Sequence, residues 1–340
     1  MKYITTFLLI AILLGCNSSI PQKEQILGIA NRLEEGTNIY LIDKLAEITI
    51  DSSSVENGKL EFDVELGKTP KQFRLQTQEI RNGINFWVDS SMTIITLING
   101  EFRNSSITGS KTENSYQNLL KSKKDKSPKE REQKDQEFVF KNPDNMVSAL
   151  LLSFYSSRWG KEMTSEMYAD FTEELKASGY GKKINKYLEL NKNLQIGDQF
   201  ADLSMTDSLG NKVSMSDYKG STILLEYWAS WCGPCRSENP ELLKTYNKFK
   251  SSGFEIYAVS LDEVREDWLK AIKEDKINWT HVSDLKGKIS DACITYGIDG
   301  LPDNFLIDKE GRIVGRNLRG KDLINALISL KLEPLDNKAS

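Results

Sequence analysis

The sequence predicts an α/β fold for residues 193–333, preceded by a β-rich domain over 25–115 and a helical connector over 116–192. Three observations carry this. Between Gln25 and Ser115, short runs of apolar and β-branched residues are cut by turn pairs such as Glu35-Gly36 and Asn57-Gly58. From Tyr116 to Leu194 the apolar residues fall instead at helical spacing. Beyond Asn193, apolar runs alternate with amphipathic stretches, and one such transition carries Cys232-Gly233-Pro234-Cys235.

At 340 residues the chain has room for two domains and linking elements, and its net charge of −4 argues against nucleic acid as a partner. The first stretch stands apart. Lys2, the apolar run from Ile4 to Leu14 and the small Gly15 have the pattern of an export signal over residues 1–15, too short for an ordinary membrane-spanning helix. Read as a buried strand instead, the stretch leaves Cys16 unexplained. The end Leu14-Gly15-Cys16 resembles a bacterial lipobox, which implies that Cys16 becomes a lipidated N-terminus followed by the polar tether Asn17-Ser18-Ser19.

In the β-rich part the strand candidates are Asn38 to Ile42, Glu47 to Ile50, Lys59 to Glu65, Phe73 to Gln76, Phe86 to Val88 and Thr93 to Leu97. Further turns are expected at Asn82-Gly83 and Asn99-Gly100. Leu60, Phe62, Val64 and Leu66 alternate with polar and charged residues, as a half-buried strand requires. No catalytic constellation is visible there. Tyr40, Phe86 and Trp87 read as packing residues rather than a sugar platform.

In the connector, Lys121 to Glu137 mixes seven basic with five acidic residues around Pro128, a solvated helix or linking segment. A helix is expected over Met146 to Arg158, with Met146, Leu150, Leu151, Phe154 and Tyr155 on one face. Two more are expected over Ser165 to Ala177 and Lys182 to Asn191. Their Met and aromatic residues call for core packing, not a cofactor.

The last part begins near Asn193 with a hairpin candidate around Asp207-Ser208-Leu209-Gly210-Asn211. An apolar strand, Ile223 to Trp228, leads into a helix after Cys232, with Leu242, Leu243, Tyr246 and Phe249 on one face. Phe254 to Leu261 reads as a buried strand. Arg265 to Asp275 reads as a helix with Trp268, Leu269 and Ile272 inward, and Lys288 to Tyr296 as a shorter one. A hairpin over Asn304 to Asp308 and Arg312 to Asn317, then a closing helix over Asp322 to Leu332, complete a mixed sheet.

Cys232 at a helix N-terminus meets unpaired N–H groups and the positive end of the helix dipole, which favour a thiolate. The two-residue spacer keeps Cys235 close enough to form and release a disulfide. The alternatives are half of a zinc site or two inert thiols. Zinc takes about four ligands, and the mature chain adds Cys293 and His281, neither of them in a second ligand pair. Redox chemistry is favoured, and it requires no cofactor.

The run Trp228-Ala229-Ser230-Trp231-Cys232-Gly233-Pro234-Cys235-Arg236-Ser237-Glu238-Asn239-Pro240 resembles the active site of the TlpA/ResA-like, AhpC/TSA-related envelope thiol–disulfide oxidoreductases. The family implies a thioredoxin-like fold for 193–333. The upstream part is similar to the small β-rich accessory domain (DUF4369-like) fused to such proteins in Bacteroidetes-type bacteria.

What the resemblance implies for the site follows residue by residue. Cys232 attacks and Cys235 resolves. Pro302, in Gly300-Leu301-Pro302-Asp303-Asn304, matches the family's cis-proline opposite the cysteines. Leu301 stands where relatives often have Thr or Val, and its backbone, with Trp231, Gly233 and Pro234, is expected to meet an extended substrate. Glu226 falls at the buried acidic position behind the resolving cysteine, where burial raises its pKa and lets it relay a proton. Read without the family, it is an outward-facing or edge residue. Glu238, one turn beyond Cys235, matches the glutamate of the cytochrome-maturation subgroup; its plainer reading is a favourable early-helix charge.

The expected function is reduction of disulfides in cell-envelope proteins. A membrane electron-transfer protein is the expected reductant, and the chain is expected to be lipid-anchored, periplasm-facing and at the outer membrane. A thiol peroxidase lacks its Pro-x-x-x-Thr-x-x-Cys pattern here. A disulfide oxidase or isomerase, and a lipid-anchored binding module with a vestigial site, remain as alternatives. Cys293 shares an i, i+3, i+4, i+7 spacing with Ile289, Ala292 and Tyr296, so it is expected to be a buried thiol outside the redox cycle.

Overall fold

The computed structural model describes residues 23–30, 33–66, 69–78, 83–89, 92–98 and 101–335. Cys16 and the expected signal therefore lie outside the described residues, as do Asn82 and the Asn99-Gly100 turn. The chain divides into two compact units, with the boundary after Asp135.

The first unit contains β1 (Lys23–Ile29), β2 (Asn38–Asp43), β3 (Ile48–Ser54), β4 (Lys59–Glu65), β5 (Lys71–Gln76), β6 (Ile84–Val88), β7 (Thr93–Ile98) and β8 (Glu101–Thr108). They form two sheets, ordered β4-β1-β7-β8 and β3-β2-β5-β6. Ile26, Leu41, Phe62, Phe73, Phe86 and Ile95 contribute to one core from both sheets. β4 buries Leu60, Phe62 and Val64 and exposes the residues between them, as its alternation predicts.

Two strands depart from the expectation. β1, pairing antiparallel with β4 and parallel with β7, carries Gly28, whose missing side chain makes room for Leu60. β8 is largely polar, so its strand character comes from pairing with β7 rather than from its own pattern. The first helix, α1 (Lys111–Ser122), starts ahead of the expected Tyr116, because the Ser110 side chain accepts from the Glu113 N–H and caps it.

Within the solvated helix or linking segment expected over Lys121 to Glu137, α2 (Pro128–Lys141) starts at the proline and runs past the unit boundary. In the second unit, α3 (Met146–Trp159) corrects the face expected for it: Phe154 is 70% exposed, while Ser148, Leu152, Ser156 and Trp159 are buried. Small serines let that side pack closely, which an apolar count overlooks. The helix expected over Ser165 to Ala177 is two helices, α4 (Lys161–Ala169) and α5 (Glu173–Ala177), parted where Thr172 turns extended and caps Leu175. α6 (Gly179–Leu190) starts early for the same reason, capped by Ser178.

The remaining elements are β9 (Ser204–Asp207), β10 (Lys212–Ser214), β11 (Thr222–Trp228), α7 (Gly233–Phe249), β12 (Phe254–Ser260), α8 (Arg265–Asp275), β13 (Thr280–Ser283), α9 (Asp291–Tyr296), β14 (Asp303–Ile307), β15 (Ile313–Arg316) and α10 (Gly320–Ser329). Their sheet has the order β10-β9-β13-β12-β11-β14-β15. β11, β12 and β13 are parallel, and β14 runs antiparallel to β11. Every residue of β11 is buried, which accounts for the apolar residues Ile223 to Leu225 and Tyr227 to Trp228 and singles out Glu226 between them. This is the α/β thioredoxin-like arrangement expected of the C-terminal part.

β13 was not legible, because it is short and its pairing with β12 supplies what its sequence does not. The helix expected over Lys288 to Tyr296 is a single tight turn at Gly287–Ile289 followed by α9, which Ser290 caps. Ile289 is 62% exposed and leaves the face assigned to it. α10 ends at Ser329, short of the expected Leu332.

Candidate redox site

The end of β11 delivers the chain to the cysteine pair, and α7 starts there. Cys232 is the N-cap of α7, Pro234 lies in its first turn, and the Cys235 N–H donates to the Cys232 sulfur at 3.2 Å. Cys232 and Cys235 are joined as a disulfide with a Cα–Cα separation of 5.3 Å. Both are buried, while the adjoining Trp231 is 60% exposed.

The loop is held from below by a residue that the sequence did not single out. Asp262, buried just after β12, accepts from the Ser230 N–H at 3.0 Å and from the hydroxyls of Ser230 and Ser260. The first turns of α7 are fixed by Asp275, at the end of α8, which takes a forked hydrogen bond from Arg236 and one from Asn239 at 2.6 Å. An acidic residue directly after a buried strand was the available signal for Asp262.

The Leu301–Pro302 peptide bond is cis, immediately before β14. Leu301 and Pro302 are half-buried, and Gly233 and Pro234 are exposed. Glu226 on β11 lies opposite Asn304 on β14. It is 7% exposed, which corrects the outward-facing reading. Burial pushes its carboxyl up to about 8; the neighbouring Arg319 guanidinium opposes this and the Glu238 carboxylate adds to it.

A cavity of about 240 Å³ opens here, lined by Glu226, Glu238, Asn304, Leu318, Arg319 and other residues. Glu238 is partly exposed and pairs with Arg319 at 2.8 Å. It therefore makes an ion pair in addition to its place near the start of α7. Arg319 also donates to the Pro302 carbonyl oxygen at 2.8 Å. Nothing in the sequence marked Arg319.

Two other singled-out residues lie apart from this chemistry. Cys293 is a buried free thiol, and burial pushes its pKa up to about 12. His281 is buried with its ring centroid 5.3 Å from that of Trp228 and 5.6 Å from that of Trp279, and burial holds its imidazole down to about 3. Among the described residues, no group of His, Cys, Asp and Glu is placed to hold a metal ion.

A thioredoxin-like sheet with a disulfide at the N-terminus of its central helix defines the class, a thiol–disulfide oxidoreductase. Comparison with known proteins agrees. The AhpC/TSA family model matches residues 196–316, and a domain of unknown function, DUF4369, matches residues 25–116. Thiol-disulfide oxidoreductase ResA of Bacillus cereus is 33% identical over 128 residues, spanning 38% of this chain and 72% of that protein. Its Bacillus anthracis counterpart is 35% identical over 121 residues, 36% of this chain and 68% of that one. The solved thioredoxin domain of a thiol-disulfide oxidoreductase from Bacteroides vulgatus is 45% identical and covers 40% of this chain and 97% of that one, with a TM-score of 0.38. The chain belongs to the thioredoxin-like AhpC/TSA superfamily, among the thiol–disulfide oxidoreductases related to ResA.

Proposed function

We propose that this protein reduces disulfides in cell-envelope proteins, from a position outside the cytoplasm where lipid on Cys16 holds it to a membrane. The observation that carries the reading is the Cys232–Cys235 disulfide at the start of α7, together with a buried carboxyl, Glu226, at the same end of the sheet. The lipid anchor rests on the Gly15-Cys16 sequence. Among the described residues no helix is long and apolar enough to cross a membrane. Asn17 after the lipidated cysteine favours the outer membrane, with residues 193–333 facing the periplasm.

In the reduced protein, the Cys232 thiolate attacks one sulfur of a substrate disulfide. The other substrate sulfur leaves as a thiolate and takes a proton, and a mixed disulfide remains. Cys235 then loses its proton to Glu226 and attacks the Cys232 sulfur, which re-forms the Cys232–Cys235 disulfide and expels the second substrate thiolate. Two electrons pass to the substrate. A carboxyl titrating near 8 accepts and returns a proton at envelope pH more evenly than an ordinary carboxylate does. Trp231, Gly233, Pro234 and the Leu301 backbone receive the substrate strand. Re-reduction requires a dithiol donor, which at an exported site means a membrane protein that carries electrons outward. Residues 25–115 act as an accessory domain and 116–192 as a connector to the catalytic part, 193–333.

The test is trapping. Cys235→Ser, in protein lacking residues 1–16, should accumulate mixed disulfides through Cys232 with a protein disulfide such as insulin, and Cys232→Ser should abolish turnover. Equal trapping by both variants would remove the assignment of roles.

A further inference from the structure

Arg319 occupies a place that the reaction as described does not use. It lies between β15 and α10, in a turn built to hold it. Asn317 takes the left-handed conformation at φ 55°, tolerable for asparagine, and Gly320 does so at φ 50°. The Asn304 side chain grips Leu318 on both sides, accepting from its N–H and donating to its carbonyl oxygen, each at 3.0 Å. The Asn317 N–H donates to the Asn304 carbonyl oxygen at 2.9 Å. Gly315 leaves room for this grip, since a side chain there would stand 2.5 Å from Leu318 Cδ1.

The guanidinium is thereby aimed at two parts of the site that belong to different elements. Nε donates to Glu238 Oε2 on α7, one turn after Cys235, and Nη2 donates to the carbonyl oxygen of Pro302, each at 2.8 Å. It is the cation among the residues that line the cavity shared with Glu226. A planar guanidinium spans two acceptors with fixed spacing, which a lysine ammonium does not reproduce.

We propose that Arg319 is a positioning residue of the redox cycle, clamping the Pro302 loop to α7 through Glu238 and setting the charge around Glu226. The proposal rests on the reductase reading and deepens it. A substrate strand that lies along the Leu301 backbone needs that backbone at a fixed distance from Cys232. The bond to the Pro302 carbonyl oxygen and the ion pair to α7 hold the two edges of the slot together. The groups around Glu226 are Arg319 before α10, Glu238 on α7, and Asn304 and Asp303 on β14, with Glu241 of α7 also lining the cavity. Asp303 pairs with Arg316 on β15 at 2.7 Å and acts on Glu226 in the same sense as Glu238. Arg319 is therefore the neighbour whose charge bears on Glu226 with the opposite sign to Glu238.

The experiment uses Arg319→Gln, Arg319→Lys and Glu238→Gln in the full chain, with insulin and with cystamine, a small disulfide that has no strand to lay along the loop. Losing one charge-assisted bond at the slot should raise KM for insulin about tenfold in Arg319→Gln, while KM for cystamine stays nearly unchanged. The pH midpoint of the resolving step should rise by about one pH unit in Arg319→Gln and fall in Glu238→Gln, because the two variants remove neighbours of opposite charge. Arg319→Lys keeps the charge and loses the fork, so it should restore the midpoint but not KM. A loss of folding in Arg319→Gln leaves the opposed pair Arg319→Lys and Glu238→Gln to decide. Unchanged KM and midpoint in variants that turn over like wild type would overturn this inference alone. Absence of disulfide turnover in wild type would instead overturn the reductase reading.

Discussion

Replacing Glu226 with Gln should change how stability depends on pH, in a direction and size the structure dictates. The carboxyl has an ordinary value of 4.5 and is pushed up to about 8 by burial. In that interval the folded chain holds a proton that the unfolded chain has released. Stability from this group is therefore fully present at low pH and is lost as pH rises through the folded value. At about 1.36 kcal/mol per pH unit, the loss between pH 5 and pH 9 is on the order of 4 kcal/mol. Gln keeps the size and a hydrogen-bonding amide but does not titrate, so the variant should lack that part of the slope. The assay is urea unfolding of the oxidised protein at a series of pH values, comparing wild type with Glu226→Gln. The comparison cancels His281, whose depressed value of about 3 makes stability rise with pH below its unfolded value. It also cancels Cys293, which titrates in the fold at about 12. If the two proteins lose stability in parallel from pH 5 to pH 9, the buried-acid account of Glu226 is wrong.

Cys293 should react slowly with a thiol reagent in the folded protein and fast after denaturation. Cys293→Ala should cost about 1 kcal/mol and leave exchange kinetics unchanged; rapid native labelling or a large fall in turnover would place a third cysteine in the cycle. Cys16→Ser should release the protein from washed membranes and end labelling by a fatty-acid probe, whereas labelling that persists in the variant would contradict lipidation at Cys16.

The parts of this molecule that read directly from sequence are those in which local pattern and tertiary environment agree. β4 alternates because one face is buried, and β11 is apolar on both faces around Glu226 because both faces are buried. The step from β11 into Cys232-Gly233-Pro234-Cys235 announces a helix start through its own residues. Elements stabilised by partners were harder to see. β8 is polar and β13 is short, and each is a strand through its neighbours. The same division holds at the site. The cysteines, Pro302 and Glu226 lie within recognisable local runs. Arg319 acts on Glu238 and on Pro302 from far along the chain, one contact being to a backbone carbonyl that no side-chain pattern reports. Phe154 and Ile289 show the converse failure, since helical spacing counts apolar residues but does not say which side the fold covers.

The measurement that bears most directly on the reductase reading is the reduction potential of the Cys232–Cys235 pair, taken by equilibration with redox buffers of known poise. A reductase of envelope disulfides requires a potential near about −270 mV or below, whereas a value near about −120 mV would make the pair an oxidant and contradict the direction of electron flow proposed here.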